Sequence, residues 1–223
     1  MRHLYAADMS AVAEYGFIVV APQSCPVKDC GARFADDLLA TLAACKANGV
    51  GLHPGLARAD FSRTAVYGHS MGGMATVRAA AASGYNLKAA VAQHPCIDPT
   101  AGQPASAVEI NMPILYVTGL LDTICPLVYT TEFYEVTPEK PRVAISWNTV
   151  TLMDPVNGFP NKELDPTGRF LACHVRGEHC DTAGTDFCAH AGADVCVYNG
   201  AFGDAASFGA ATNATTAAAA LKL

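Results

Sequence analysis

Residues 64–73 read Thr-Ala-Val-Tyr-Gly-His-Ser-Met-Gly-Gly, and this stretch decides the fold. A β-branched and aromatic run ends in a Gly-x-Ser-x-Gly pattern, and an alanine-rich run of helical character follows it directly. The pattern predicts a strand, a tight turn that carries Ser70, and then a helix, which is the form of a nucleophile elbow. We expect glycine at positions 68 and 72 because the neighbouring chain would pass too close for side chains there.

The same turn predicts the chemistry of Ser70. Its hydroxyl would stand at the end of a sheet strand, with the N-terminus of the following helix behind it. The Met71 N–H would be free to donate to a developing oxyanion. Five such residues can occur together by chance, but a strand before them and a helix after them make the signal specific. Ser70 is therefore the candidate nucleophile and Met71 the candidate oxyanion donor.

Length, composition and charge limit the classes of protein to which the chain can belong. The 223 residues suit one domain, and a hydrophobic content of 51% can fill a sizeable core. A net charge of −6 without a basic cluster argues against a nucleic-acid partner. No apolar run approaches the ~20 residues of a membrane span, and residues 1–8 lack the apolar core of a secretory signal. The nine cysteines nevertheless favour a secreted protein, and their odd number leaves at least one without an intrachain disulfide partner.

Apolar runs alternate with helical patterns along the chain. Strands are predicted over residues 17–21, 64–67, 87–92, 114–119 and 142–147, and helices over residues 6–15, 34–47, 74–82 and 130–134. This alternation predicts an α/β fold, with a mainly parallel sheet and helices on both of its faces. Functional groups in such sheets collect at the carboxyl ends of the strands. Ser70 ends one strand, and Asp122 lies in the loop after the strand at 114–119.

Four segments carry a family resemblance: residues 15–22, residues 68–73, His94-Pro95, and residues 117–126. In this order they resemble α/β-hydrolases of the cutinase-like, polyester (PET) hydrolase and chlorophyllase group, which is related to dienelactone hydrolases. The resemblance implies an α/β-hydrolase fold and a serine carboxylester hydrolase that needs no cofactor and acts on a small-molecule or polymeric ester. Ser70 would form the acyl-enzyme and Asp122 would be the triad acid. Cys96 would line the substrate groove, where relatives often carry an aromatic residue.

The general base is the first departure from that family. Its histidine follows the last strand, and the register here places Leu152 at that position, which cannot take a proton from Ser70. His174 is the best remaining candidate because it keeps the chain order Ser, Asp, His. His179 and His94 are weaker, the latter because Asp122 should orient a base on the far side. The alternative is a catalytically impaired or non-catalytic α/β-hydrolase-like protein with a binding role or a fold-only role.

The N-terminal part of the chain is the second departure from that family. The resembled fold has strands before residue 17, and the loop after one of them supplies the second oxyanion N–H. That strand would lie between the strand at 17–21 and the strand at 64–67. Either these two strands pair directly, or the chain is a fragment of a longer protein. A gap in a sheet leaves costly unpaired backbone groups. We therefore favour the fragment, which would also account for the missing secretory signal.

The C-terminal third predicts two further regions. Residues 1–172 would form the hydrolase core without its N-terminal strands, residues 173–198 a Cys/His-rich segment, and residues 199–223 a low-complexity tail that we expect to be disordered. The segment contains no Cys-x-x-Cys pair, so a metal site is disfavoured. Disulfides that clip the last helix to its trailing loop are expected instead, with free buried thiols as the alternative.

Overall fold

A five-stranded sheet forms the centre of the protein, in a computed structural model that describes residues 2–24, 33–82, 84–97, 105–138, 141–157, 163–178, 180, 187–188 and 191–199. Its strands lie side by side in chain order: β1 (Ala65–His69), β2 (Ala89–Gln93), β3 (Ile114–Gly119), β4 (Arg142–Trp147) and β5 (Val195–Tyr198). The first four are parallel, and β5 is antiparallel to β4. The prediction of an α/β fold with a mainly parallel sheet is confirmed.

Helices cover both faces of this sheet. The α-helices are α1 (Ala6–Glu14), α2 (Phe34–Leu52), α3 (Met71–Ala81), α4 (Leu127–Val136), α5 (Asp154–Asn157) and α6 (Leu164–Leu171), and a π-helical turn (Ala172–Arg176) continues α6. Side chains of α2, α3 and α4 pack on one face, and those of α1 and α6 pack on the other. Short 3₁₀ turns lie at Arg2–Tyr5, Pro54–Arg58 and Ala105–Glu109.

The central strands form where the sequence is mainly apolar. Every residue of β2, β3 and β4 is buried, as expected of parallel strands that are covered on both faces. The bounds predicted for β3 and β4 are confirmed, and α3 begins three residues before its predicted start, immediately after Ser70. The chain therefore delivers Ser70 to the carboxyl end of β1, and Asp122 to the loop that follows β3.

The prediction of a strand over residues 17–21 is wrong. Residues 17–20 belong to no ladder among the described residues, and Ile18 and Val20 are 43% and 44% exposed. An apolar run becomes a strand only when a neighbour supplies its backbone hydrogen bonds, and none lies beside this one. Direct pairing between residues 17–20 and β1 is therefore not found, and β1 is an outer strand of the described sheet.

Disulfides fix the C-terminal segment, as predicted. Cys173 is bonded to Cys180 after the π-helical turn, and Cys188 is bonded to Cys196 in β5. Cys45 is a free, buried thiol, in agreement with the odd cysteine count. The tail from residue 200 onward, together with His179 and His190, lies outside the described residues. Within the described part, no helix has both the length and the apolar character of a membrane span.

Candidate active site

Ser70 occupies the turn between β1 and α3. It has a φ of 59° and a ψ of −123°, a strained conformation for a residue with a side chain. Its N–H donates to the Gln93 carbonyl oxygen (2.9 Å), and its own carbonyl accepts from the Met74 N–H (3.1 Å). The turn is thus anchored to β2 on one side and to α3 on the other, which is the predicted strand-turn-helix arrangement.

Two glycines allow this close approach, but only one of them was predicted correctly. A Cβ at Gly68 would lie 2.5 Å from the Gly72 carbonyl oxygen, as expected. The prediction for Gly72 itself is wrong, because a Cβ there would meet nothing within 4 Å. Gly73 is the second crowded position, since its Cβ would lie 2.5 Å from the Gln93 carbonyl oxygen. The residue of α3 that lies against the end of β2 is therefore Gly73, one residue after the position that the motif predicts.

The Ser70 hydroxyl lies against a disulfide. Its Oγ is 3.7 Å from Cys96 Sγ and 3.8 Å from Cys125 Sγ, and the two cysteines are bonded to each other. The bridge joins the loop after β2 to the loop after β3, with Cys96 partly exposed and Cys125 buried. Met71 begins α3, so its N–H has no acceptor within the helix. Sequence reasoning placed Cys96 near Ser70 but did not find its partner.

Asp122 is buried, and both of its carboxylate oxygens accept hydrogen bonds. Its Oδ1 accepts hydrogen bonds from the N–H groups of Ile124 (2.9 Å) and Cys125 (2.8 Å), and its Oδ2 lies 2.7 Å from His94 Nδ1. Burial raises the pKa of Asp122, but the hydrogen bonds from His94, Cys125 and Ile124 outweigh it and hold that pKa below its usual value. The carboxylate is therefore ionised, and the imidazole that it orients belongs to His94.

His94 is held between two carboxylates. Its Nε2 lies 2.7 Å from Glu163 Oε1, and the ring is completely buried. Burial lowers the pKa of His94, but the charges of Glu163 and Asp122 and the hydrogen bonds to both raise it to about 9. At neutral pH both ring nitrogens therefore carry protons and both donate. An imidazolium bound in this way has no lone pair with which to accept the Ser70 proton.

His69 has the opposite protonation preference. Its ring centroid lies 5.5 Å from that of His94; its Nε2–H donates to the Leu152 carbonyl oxygen (2.7 Å), and its Nδ1 accepts from the Tyr5 hydroxyl (2.9 Å). Burial, together with the charge of His94, lowers the pKa of His69 to about 4. Leu152, at the position where the base was sought, is itself buried and contributes its carbonyl oxygen to this contact.

The other described histidines make no contact with Ser70. The His174 ring lies tilted against that of Phe170, with centroids 4.5 Å apart, and burial lowers the pKa of His174. His53 accepts from the Gly55 N–H. Among the described histidine side chains none makes a hydrogen bond with Ser70 Oγ, whose described contacts are the two sulfurs. The structure thus brings Ser70, Cys96 and Asp122 to one corner of the sheet, and the role of Asp122 as triad acid stays a prediction.

A second layer of buried polar groups supports this corner. Gln93 Nε2 donates to Thr167 Oγ1 (3.2 Å) and to Asp8 Oδ1 (3.4 Å). Burial raises the pKa of Asp8 to about 6, although hydrogen bonds from Gln93 and Tyr67 lower that pKa. No sequence pattern pointed to Asp8 or Glu163, because each reaches the site from a distant part of the chain. Across the described residues no three His, Cys, Asp or Glu side chains are arranged to hold a metal ion.

Comparison with known proteins agrees with this fold. The family model described as PETase, PET hydrolase-like, matches residues 9–160, which is more than half of the chain. The chain belongs to the PET hydrolase-like family. The resemblance and the α/β-hydrolase fold inferred from the sequence are thereby confirmed, and membership implies an ester hydrolase in general. No curated protein matches the chain.

The PET hydrolase-like match covers only part of the site. Ser70, His94 and Asp122 all lie inside residues 9–160, whereas Glu163 follows that range at the start of α6. The second carboxylate on His94 is therefore supplied from outside the matched part of the chain.

Proposed function

We propose that this PET hydrolase-like chain hydrolyses a carboxylic ester slowly, through an acyl-enzyme on Ser70. The observation that carries the proposal is the turn at Ser70: a φ of 59° between strand β1 and helix α3, with Gly68 and Gly73 crowded by backbone on either side. Strain of this kind persists only where the surrounding structure fixes it, and it is typical of a nucleophile elbow. The family match supports an ester as the substrate.

The reaction would follow the two steps of acyl transfer. Ser70 Oγ attacks the carbonyl carbon of the ester, and the carbonyl oxygen becomes an oxyanion to which the Met71 N–H donates at the N-terminus of α3. The tetrahedral intermediate then expels the alcohol, which takes up the proton lost by Ser70. Water attacks the acyl group, and the products are a carboxylic acid and free Ser70. Cys96, 3.7 Å from Ser70 Oγ, would line the groove that holds the ester.

The expected rate is low because the proton of Ser70 has no described acceptor. Loss of a triad member lowers kcat by roughly 10⁴- to 10⁶-fold, while the oxyanion donor and substrate binding still leave about 10³- to 10⁴-fold over water. In this proposal Asp122 keeps the position of a triad acid, but His94 does not serve as the base. The chain would therefore resemble a hydrolase whose base has been removed.

A non-catalytic role is the second candidate, and one observation favours it. Both nitrogens of His94 are bound by carboxylates, so the imidazole that Asp122 orients is committed to holding the loops together. A protein of this kind would bind an ester or acyl group at the Ser70 corner without turning it over.

Hydrolysis of p-nitrophenyl butyrate separates the two candidates. We expect slow release of p-nitrophenol by the unaltered chain, loss of that release in Ser70→Ala, and a gain in Leu152→His, which restores an imidazole at the expected position. The exposed His53→Gln variant is the matched control and should not change the rate. Equal rates for the unaltered chain and Ser70→Ala would exclude Ser70 as nucleophile and leave the non-catalytic role.

A further inference from the structure

The Cys96–Cys125 disulfide lies directly against the Ser70 hydroxyl, yet it has no part in the reaction proposed for Ser70. Ser70 Oγ is 3.7 Å from Cys96 Sγ and 3.8 Å from Cys125 Sγ. The Cys96 N–H also donates to the Ser70 carbonyl oxygen (3.3 Å), which fixes the backbone of the two residues to each other. The sulfur of Cys96 is therefore held beside the place where an ester that reaches Ser70 puts its carbonyl carbon.

The two cysteines of this bridge differ in their exposure to solvent. Cys96 is partly exposed in the loop after β2, whereas Cys125 is completely buried in the loop after β3. A disulfide is opened by attack of a thiolate on one of its sulfurs, and access decides which sulfur is attacked. A dithiol reductant therefore attacks Cys96 Sγ, and Cys125 leaves as a thiolate. The second thiol of the reductant then releases Cys96; the reductant becomes a disulfide, and two electrons pass to the bridge.

The corner of the sheet stays joined when this bridge opens. The same two loops are also linked by the contact of His94 Nδ1 with Asp122 Oδ2 (2.7 Å), and Glu163 Oε1 holds the other ring nitrogen (2.7 Å). The Cys125 N–H donates to Asp122 Oδ1 (2.8 Å). None of these contacts involves a sulfur atom, so they persist in the reduced chain. A freed Cys96 thus remains next to Ser70.

A thiol suits a site without a general base. The serine hydroxyl is a weak nucleophile until a base takes its proton, and no described histidine makes a hydrogen bond with Ser70 Oγ. Cysteine depends least on such a base, because an ordinary thiol with a pKa of ~8.5 is about one quarter thiolate at pH 8. Once reduced, Cys96 is therefore better suited than Ser70 to attack an ester at this corner.

We propose that Cys96, separated from Cys125 by a dithiol reductant, is a second nucleophile that takes up an acyl group as a thioester. The Cys96 thiolate attacks the carbonyl carbon, the Met71 N–H donates to the oxyanion, and the bond from the carbonyl carbon to the leaving group breaks. The leaving group departs as an anion and takes a proton from water. This inference rests on the proposed function only in placing the acyl group at the Ser70 corner.

The same geometry limits the class of substrate. Both protons of His94 are donated to carboxylates, so this imidazolium does not protonate the leaving group. A leaving group that departs as an anion must be no more basic than the attacking thiolate, since otherwise the tetrahedral intermediate expels the thiolate again. The acyl donors are therefore aryl esters and acyl thioesters, and alkyl esters are excluded.

Two single variants that both lose the bridge test the proposal without any reductant. Cys125→Ser frees Cys96, whereas Cys96→Ser frees only the buried Cys125 and is the matched control. With p-nitrophenyl butyrate at pH 8, we expect Cys125→Ser to release a burst of about one equivalent of p-nitrophenol per chain, followed by slow turnover as water attacks the thioester without a base. Cys96→Ser should give no burst, and neither variant should be acylated by ethyl butyrate. Equal bursts from the two variants would overturn the proposal.

A double variant separates this inference from the proposed role of Ser70. In Ser70→Ala/Cys125→Ser the burst should persist, and mass spectrometry should place the butyryl group on Cys96. Loss of the burst there would show that Ser70 takes the acyl group, which would overturn the inference while leaving the proposed function intact. Equal slow rates for the unaltered chain and Ser70→Ala would do the reverse.

Reduction of the unaltered chain keeps the proposal testable if the variants do not fold. A water-soluble phosphine opens the bridge and, unlike a thiol reductant, does not itself accept the acyl group as a thioester. Mass spectrometry after exposure to p-nitrophenyl butyrate then locates the butyryl group among the nine cysteines. We expect it on Cys96. A butyryl group found only on other cysteines, or on none, would overturn the proposal.

Discussion

The Ser70 turn and the buried cluster of His94, Asp122 and Glu163 lie at the same corner of the sheet, but they are built differently. The turn holds a strained backbone and an uncharged hydroxyl against two sulfurs. The cluster holds an imidazolium between two carboxylates with every contact at 2.7 Å. The charged groups of this corner are thus paired with one another and not with the Ser70 hydroxyl. A strained serine turn can therefore persist where the neighbouring imidazole has a structural task.

Removing the imidazole should have the largest effect. His94→Gln leaves two buried carboxylates without a cation between them, and we expect the free energy of unfolding to fall by about 3–5 kcal/mol. Urea denaturation monitored by circular dichroism measures this loss. The exposed His53→Gln is the control and should cost less than about 0.5 kcal/mol. A small effect of His94→Gln would mean that the cluster does not hold the corner together.

Opening the disulfide beside Ser70 should have the next largest effect. Cys96 and Cys125 enclose a chain separation of 29 residues, so replacing both with alanine should cost about 3 kcal/mol. The Cys173–Cys180 bridge spans only 7 residues, and the equivalent double replacement should cost about 2 kcal/mol. Thermal unfolding of both variants gives the comparison. A larger loss from the C-terminal bridge would show that the Cys96–Cys125 bridge does not brace the site.

Gly72 and Gly73 are neighbours in the chain, but alanine substitutions at the two positions should have different effects on stability. Gly73→Ala drives a Cβ against the Gln93 carbonyl oxygen and should cost about 1–3 kcal/mol. Gly72→Ala meets open space within α3 and should be neutral or stabilise by up to about 1 kcal/mol. Chemical denaturation of the two variants measures the difference. Equal losses would contradict the observed path of α3 past the end of β2.

The smallest expected effect is the pH dependence of Asp8. Its folded-state pKa of about 6 lies above its ordinary value of 3.8, so its contribution to stability is full below pH 3.8 and is lost as the pH rises through 6. Asp8→Asn should therefore flatten the stability profile between these pH values. The pKa shift corresponds to about 3 kcal/mol at neutral pH, but asparagine loses the acceptor for the Tyr67 hydroxyl, so the net gain should be about 1–2 kcal/mol. Unfolding curves across this range test it. An unchanged profile would show that Asp8 titrates as it does in the unfolded chain.

The sequence predicts the parts of this molecule that local pattern determines. The runs Ile114–Gly119 and Arg142–Trp147 are mainly apolar, and they form strands with the predicted bounds. The turn at Ser70 also follows from its local pattern. The run at 17–20 is also apolar but has no neighbour with which to pair. Strand β5 was not predicted, because a run of four residues that contains Cys196 carries little periodic signal.

The charged part of the site could not be predicted, for a different reason. His94 was considered as a base, but its partners are set by loops that bring Asp122 and Glu163 together from 28 and 69 residues away. The disulfide between Cys96 and Cys125 likewise depends on how two loops meet. Such pairings depend on how the sheet and its loops assemble, so residue spacing and composition do not predict them.

The protonation state of His94 tests the central claim most directly. Nitrogen-15 NMR of the imidazole rings, with His94→Gln used for assignment, reports whether each ring nitrogen carries a proton. We predict that both nitrogens of His94 are protonated at neutral pH and that the ring titrates near pH 9, while His69 remains neutral. A neutral His94 with one unprotonated nitrogen at neutral pH would contradict the account, because that imidazole would then be available as a base.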